Sequence, residues 1–205
     1  MAAQDATRRD PPPARTPFDA RAALRSAEHP VSDDPVFDAA VGVVLAHEGG
    51  FQNDEGDPGN WTGGIVGAGA LVGTKYGISA ASYPNLDIAN LSADEACAIY
   101  RRDWWDRLGL ARLPAPLGAK LLDAAVNLGA NPAIACLQRA LRANGRSVAE
   151  GGVLGPETIA AAQAAPVEGV LAALREALAG HYRLIAARHP ERERYLAGWL
   201  ARAYS

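Results

Sequence analysis

Eight glycines fall within the 24 residues from Gly56 to Ser79. Glycine weakens the interior of helices and strands alike, so this segment is expected to form loops with, at most, a short irregular hairpin. On either side of it the apolar residues recur at helical spacing. Upstream, Asp34-Pro35 supplies an acidic N-cap and a proline at the first helical position. Phe37, Val41, Val44 and Leu45 then share one face, and Gly49-Gly50 is expected to end the helix. Downstream, Ser92-Ala-Asp-Glu95 is a capping box opening a helix that should run to about Arg107. Leu117, Leu121, Ala124 and Leu128 mark the next helix. Asn131-Pro132 reads as the cap of another, with Ile134, Leu137 and Leu141 inward and Gly145 beyond its end. A short helix should open at Pro156 and close before Pro166. Val170, Leu171, Leu174, Leu178, Tyr182 and Ile185 form the longest stripe, stopped by His189-Pro190, and Tyr195, Leu196, Trp199 and Leu200 give a last helix. The expected fold class is mainly α, with a glycine-rich irregular lobe that carries a small β-hairpin. No repeat of 20 to 50 residues is present.

At 205 residues the chain suits one domain with a small appendage. No apolar run approaches the roughly 18 residues that a membrane span needs. With 20 basic against 23 acidic residues and a formal charge of −3, there is no global electrostatic case for a nucleic-acid partner. The two cysteines, Cys97 and Cys136, both sit inside apolar helical patterns, so neither a disulfide framework nor a CxxC metal site is expected. Gly73-Thr74-Lys75 has the wrong order for a phosphate loop and no buried strand before it. Residues 1–34, which include Pro11-Pro12-Pro13, read as a disordered proline-rich arm. The start of the chain lacks the apolar core of a secretory signal, which implies synthesis and folding in a cytoplasm.

Glu48 is the most informative residue. It lies four positions after Val44 and seven after Val41, so it projects from the apolar face of its helix. Partial desolvation, the negative end of the helix dipole, and the acids at Asp54, Glu55 and Asp57 each disfavour its ionised form. A carboxylic acid that keeps its proton is what a glycosidase uses to protonate a leaving sugar oxygen. The bland alternative is a helix-terminal glutamate that turns outward or pairs with an arginine. Against that alternative, Phe51-Gln-Asn-Asp-Glu-Gly-Asp57 sets a second carboxylate nine residues on, in a loop able to fold back over a groove. A separation of about 6.5 to 9.5 Å would suit inversion and about 5 to 5.5 Å retention, and the sequence does not choose between them.

His47-Glu-Gly-Gly-Phe51, Asn53-Asp54, Asp57-Pro-Gly59 and Gly73-Thr-Lys-Tyr-Gly-Ile-Ser79 together resemble the signature of glycoside hydrolase family 108, the bacterial and phage N-acetylmuramidases. The resemblance continues through Ile99-Tyr-Arg-Arg-Asp-Trp-Trp-Asp106 and Asp123-Ala-Ala-Val-Asn-Leu-Gly129. Leu137-Gln-Arg-Ala-Leu141 and Gly152-Val-Leu-Gly-Pro-Glu-Thr158 then look like the peptidoglycan-binding helical region that follows the catalytic part in this family. The likeness spans about residues 36 to 202.

That resemblance implies a lysozyme-like helical fold, with a catalytic region over 35–125 and a binding region over 126–205 packed into one globule. Glu48 matches the catalytic acid, Asp57 the second carboxylate by spacing, with Asp54 as its rival, and Thr74 the site threonine, with Thr62 at the uninterrupted spacing. Tyr76, Trp61 and Trp105 are candidates to stack on sugar rings. Trp104 and Trp105 diverge by about 100° on a helix, so only one of them can face the core. Asn127 could bond an acetamido group or satisfy a buried backbone group. His47 is read as a capped core histidine. The arginines Arg183, Arg188, Arg192, Arg194 and Arg202 are read as a solvated helix face that could also meet anionic wall polymers. The resemblance implies a lysozyme that cleaves the β-1,4 bond between N-acetylmuramic acid and N-acetylglucosamine without metal or organic cofactor. The partner is the peptidoglycan glycan strand, the enzyme is expected to be a monomer, and it reaches the wall through a holin-type lesion or a secretion system, as in a phage endolysin. Lytic transglycosylation on the same bond, and a non-catalytic peptidoglycan-binding module, are the alternatives.

Overall fold

The computed structural model describes residues 33–205, so all but the last two residues of the expected N-terminal arm lie outside it. Helix α1 (Pro35–Glu48) begins where Asp34 and Pro35 place it. The Asp34 carboxylate accepts from the Val36 and Phe37 amides at 3.1 and 3.0 Å through Oδ1, and from the Trp105 indole at 3.0 Å through Oδ2. One side chain thereby caps the helix and pins its start to a later segment. Phe37, Val41, Val44 and Leu45 are buried, and Gly49 ends the helix with φ 73°.

The glycine-rich segment contains a 3-10 turn (Pro58–Asn60) and two very short antiparallel strands, β1 (Thr74–Lys75) and β2 (Ile78–Ser79). Thr74 pairs with Ser79 and Lys75 with Ile78, which leaves Tyr76-Gly77 as a two-residue turn. Both turn residues have positive φ, 52° and 76°, the backbone twist that tight hairpins favour. Isolated bridges join Gln52 to Thr74 and Trp61 to Leu71, so a few backbone pairs add to the two-stranded sheet in fastening the lobe.

Helix α2 (Ala93–Tyr100) opens with the reciprocal Ser92–Glu95 capping box. The expected α-helix to Arg107 changes register here, because Arg101–Asp106 form a π-helical turn. Trp105 on that turn is 1% exposed and tilts against Phe37 with ring centroids 5.6 Å apart. Arg101, four residues earlier, also faces Asp34, at 3.7 Å. The widened turn is therefore held by two side chains that converge on the cap of α1.

Helix α3 (Ala115–Leu128) packs against α1 on one side and against α4 (Ala130–Ala143) and α6 (Val167–Arg188) on the other. The boundary expected at 125/126 falls inside this helix. The cap expected at Asn131-Pro132 is instead Gly129, φ 89°, and α4 starts at Ala130. Proline fits within that first turn because first-turn amides have no helical acceptor to lose. Helix α5 (Pro156–Gln163) follows a loop tied down by buried Gln138, which donates to the Val153 carbonyl and to Thr158 and accepts from the Gly152 amide. Glu150 pairs with Arg139 and Arg142 at the loop's start. A 3-10 segment (Pro190–Tyr195) leads into α7 (Leu196–Tyr204), whose Trp199 stacks on Tyr182 of α6 with centroids 5.4 Å apart. That stack packs α7 against α6, and Arg202 near the end of α7 reaches Asp123 of α3 and Glu48 of α1.

Candidate active site

Glu48 is the last residue of α1, and its side chain is 11% exposed. Its Oε1 accepts from Nη1 and Nη2 of Arg202 at 3.1 and 3.0 Å. The Nε of the same guanidinium donates to Oδ1 of Asp123 at 2.9 Å, and Nη2 reaches the Asp123 carbonyl at 3.4 Å. His47 Nδ1 lies 3.1 Å from the same Oδ1, and since a carboxylate only accepts, the imidazole donates. Lys120 completes the cluster 3.9 Å from Oδ2.

Two expectations change here. Arg202 does not lie on a solvated helix face; its side chain is 12% exposed and joins two carboxylates. The counter-charge it brings to Glu48 is the pairing with an arginine weighed as the bland alternative. A signal for this was present in the sequence, since Arg202 stands three residues after buried Trp199 and so shares its side of the helix. His47 is not a core histidine, being 32% exposed with its ring turned onto Asp123.

Burial alone would push the Asp123 carboxyl up, but the His47 hydrogen bond and the charges of Arg202, His47 and Lys120 outweigh it and hold it below the usual aspartate range. Burial opposes the charge on Arg202 too, and Asp123 and Glu48 reverse that effect. Lys120 is lowered by burial, with Asp123 acting against the shift. The sign for stability follows from the depressed Asp123 value. The unfolded chain takes up this proton first, so the contribution is complete above an ordinary aspartate pKa of about 4 and is lost as pH falls below it. Urea melts between pH 5 and pH 2.5 are expected to show stability falling more steeply for the wild type than for Asp123→Asn.

The hairpin turn closes over the acid. A Cβ placed on Gly77 would lie 2.8 Å from Glu48 Oε2, 2.9 Å from its Cγ and 2.7 Å from the Tyr100 hydroxyl. That hydroxyl donates to the Tyr76 carbonyl at 2.8 Å, which fixes the turn to α2. Gly77→Ala therefore suffers twice, through left-handed backbone costing about 1–2 kcal/mol and through displacement of the carboxylate. It is expected to lower the melting temperature by roughly 2–8 °C, read by thermal melts followed by circular dichroism.

Asp57 caps the 3-10 turn, accepting from the Gly59 amide at 2.8 Å and from Gln52 Nε2 at 3.1 Å. Gln52 Nε2 also donates to Asn60 Oδ1, at 3.0 Å, and the Thr74 hydroxyl donates to that same oxygen at 2.7 Å. Asp57 and Thr74 thus share one network through Gln52 and wholly buried Asn60, two residues that the sequence reading passed over. Thr62 is elsewhere engaged, accepting from the Ala70 amide across the neighbouring loop. Asp54 is exposed and accepts from the Gly56 amide.

Trp105, expected to meet sugar, is buried in the core with its N–H on Asp34, and half-buried Trp104 is the indole left near the surface. Trp61 donates its indole N–H to the Glu55 carbonyl at 2.9 Å. Tyr76 is half-buried beside the turn, with Lys75 Nζ 5.5 Å above its ring. Asn127 Oδ1 accepts from the Tyr182 hydroxyl at 2.6 Å, so its carbonyl serves the helix packing and its amide nitrogen is the group that could face a ligand.

A helical core with a small hairpin lobe folded over a helix-terminal glutamate defines a mainly α, lysozyme-like protein. Residues 35–129 match the family described as glycosyl hydrolase 108, and residues 132–204 match the predicted peptidoglycan domain. The chain thus carries a glycosyl hydrolase 108 region followed by a predicted peptidoglycan domain, and it is a glycoside hydrolase that acts on peptidoglycan. Among solved structures it is similar to SagA of Brucella abortus, at TM-score 0.57 and 23% identity, over 82% of this chain and 93% of that one. That likeness is one of fold. No curated protein matches the chain.

Proposed function

We propose that the protein is an N-acetylmuramidase that hydrolyses the β-1,4 bond between N-acetylmuramic acid and N-acetylglucosamine, with Glu48 as general acid. The observation that carries this reading is the placement of Glu48, at the end of α1 and beneath the Gly77 turn, inside the region that matches the hydrolase family. Arg202 engages Oε1, and Oε2 lies beside the turn. Proton donation to the leaving oxygen gives an oxocarbenium-like transition state. Asp57, fixed by the Gly59 amide and Gln52, supplies the second carboxylate, and Thr74 lines the same network through Asn60. Trp61, Tyr76 and Asn127 serve as sugar contacts in this reading.

The helical region after Gly129 binds the glycan strand, and the enzyme works as a monomer on the cell wall. Its role is to open that wall, as a phage-type endolysin or as a hydrolase that clears a path for a secretion apparatus. Purified sacculi test the reading. Added enzyme should clear a turbid suspension and release soluble muropeptides, and sacculi left intact by folded protein would contradict it.

A further inference from the structure

Asp123 gives a single oxygen, Oδ1, to two donors from different parts of the chain, His47 of α1 and Arg202 of α7. Arg202 in turn spends its remaining edge on Glu48. The order His47–Asp123–Arg202–Glu48 therefore runs through three helices, with both central members nearly buried. A guanidinium is a rigid planar fork, so fixing Nε on Asp123 fixes where Nη1 and Nη2 point. We infer that Asp123 and Arg202 are positioning residues for Glu48, the first orienting the second and the two together setting the charge balance at the acid. The inference rests on Glu48 being the catalytic acid. It makes the last helix, beyond the hydrolase-matching region, a working part of the catalytic centre.

Other titratable groups facing this chain of contacts include Tyr100 of α2, Lys120 of α3, and Arg175 and Tyr182 of α6. Burial, and then mainly the Glu48 charge, pushes Tyr100 well above its ordinary value; burial likewise raises Tyr182, so both phenols stay neutral at working pH. Lys120 donates to the Arg202 carbonyl at 2.6 Å, bracing the same residue from the backbone side. From the hairpin, Gly77 meets the acid and brings no charge.

Removing either partner should therefore move the proton on Glu48 in opposite directions. Asp123→Asn deletes a negative neighbour, favours the ionised acid, and shifts the alkaline limb of the pH–rate profile downward by about half a unit or more. Arg202→Gln deletes the positive charge and shifts that limb upward. Both should lower kcat about 10-fold or more while leaving KM within about two-fold, since neither residue is placed against the sugar. Arg202→Lys keeps the charge without the fork, so the limb should return toward its wild-type position while kcat stays low.

The experiment is the initial rate of sacculus solubilisation against pH for the full chain and these variants, each shown to be folded by circular dichroism, with Glu48→Gln alongside. Opposite shifts support the inference. Limbs that stay in place, or that move the same way in Asp123→Asn and Arg202→Gln, overturn it; if Arg202→Gln does not fold, Arg202→Lys with unchanged kcat overturns it equally. A fully active Glu48→Gln would instead sink the assignment of the acid, and with it the inference, and is read separately from the limbs.

Discussion

Glu48→Gln is expected to lower the rate of sacculus clearing by about 10²–10⁴-fold, the range that general-acid catalysis contributes. Glutamine keeps the shape of the side chain and a carbonyl oxygen that can accept from the Arg202 fork, but it has no proton to give. Arg202 retains Asp123 at 2.9 Å, so the guanidinium is not left without an anion. The cost in stability should be about 1 kcal/mol, the difference between a charged and a neutral acceptor, or a melting temperature lower by roughly 2–4 °C. Glu48→Ala would be a poorer probe, because it also deletes the acceptor from a nearly buried fork. Binding to sacculi, read by co-sedimentation, should survive the glutamine substitution. Clearing at the wild-type rate would move the acid to another residue.

Trp105→Ala should produce the largest loss of stability, about 3–5 kcal/mol, and a melting temperature lower by roughly 10 °C. The indole is 1% exposed, packs on Phe37 and donates to the carboxylate that caps α1. Its removal opens a cavity and takes a partner from Asp34 at the same time. Trp105→Phe keeps most of the packing and loses the hydrogen bond, so its cost should be about 1–2 kcal/mol. Differential scanning calorimetry on the two variants separates packing from capping. A loss below about 1 kcal/mol for the alanine variant would mean that the π-helical turn is not anchored to α1 in this way.

The helices were legible because their signals are local. Asp34-Pro35, the Ser92–Glu95 box and Gly155-Pro156 each place a boundary within a few residues, and buried Phe37, Val41, Val44 and Leu45 recur at the helical period. The Gly129 cap was missed because Asn131-Pro132 offers a competing local signal, one that the first turn of a helix tolerates. The π-helical turn has no local signature, since Trp104 and Trp105 look the same to a period of 3.6 or 4.4. The partners of the acid were the hardest to see. Arg202 meets Glu48 across 154 positions in the chain, and nothing near it distinguishes it from Arg192 or Arg194 until Trp199 is known to face inward. Asn60 and Gln52 were hidden for a related reason: in a glycine-rich lobe whose sheet is only two very short strands, the side-chain amides of half-buried Gln52 and buried Asn60 take over fastening that longer backbone ladders usually provide.

The most direct test of the proposed reaction is mass spectrometry of muropeptides released from sacculi by the wild-type enzyme. Hydrolysis with Glu48 as acid at the muramyl bond predicts fragments ending in reducing N-acetylmuramic acid. Fragments ending in 1,6-anhydro-muramic acid would show lytic transglycosylation, and reducing N-acetylglucosamine ends would show cleavage of the other glycosidic bond, either of which contradicts it.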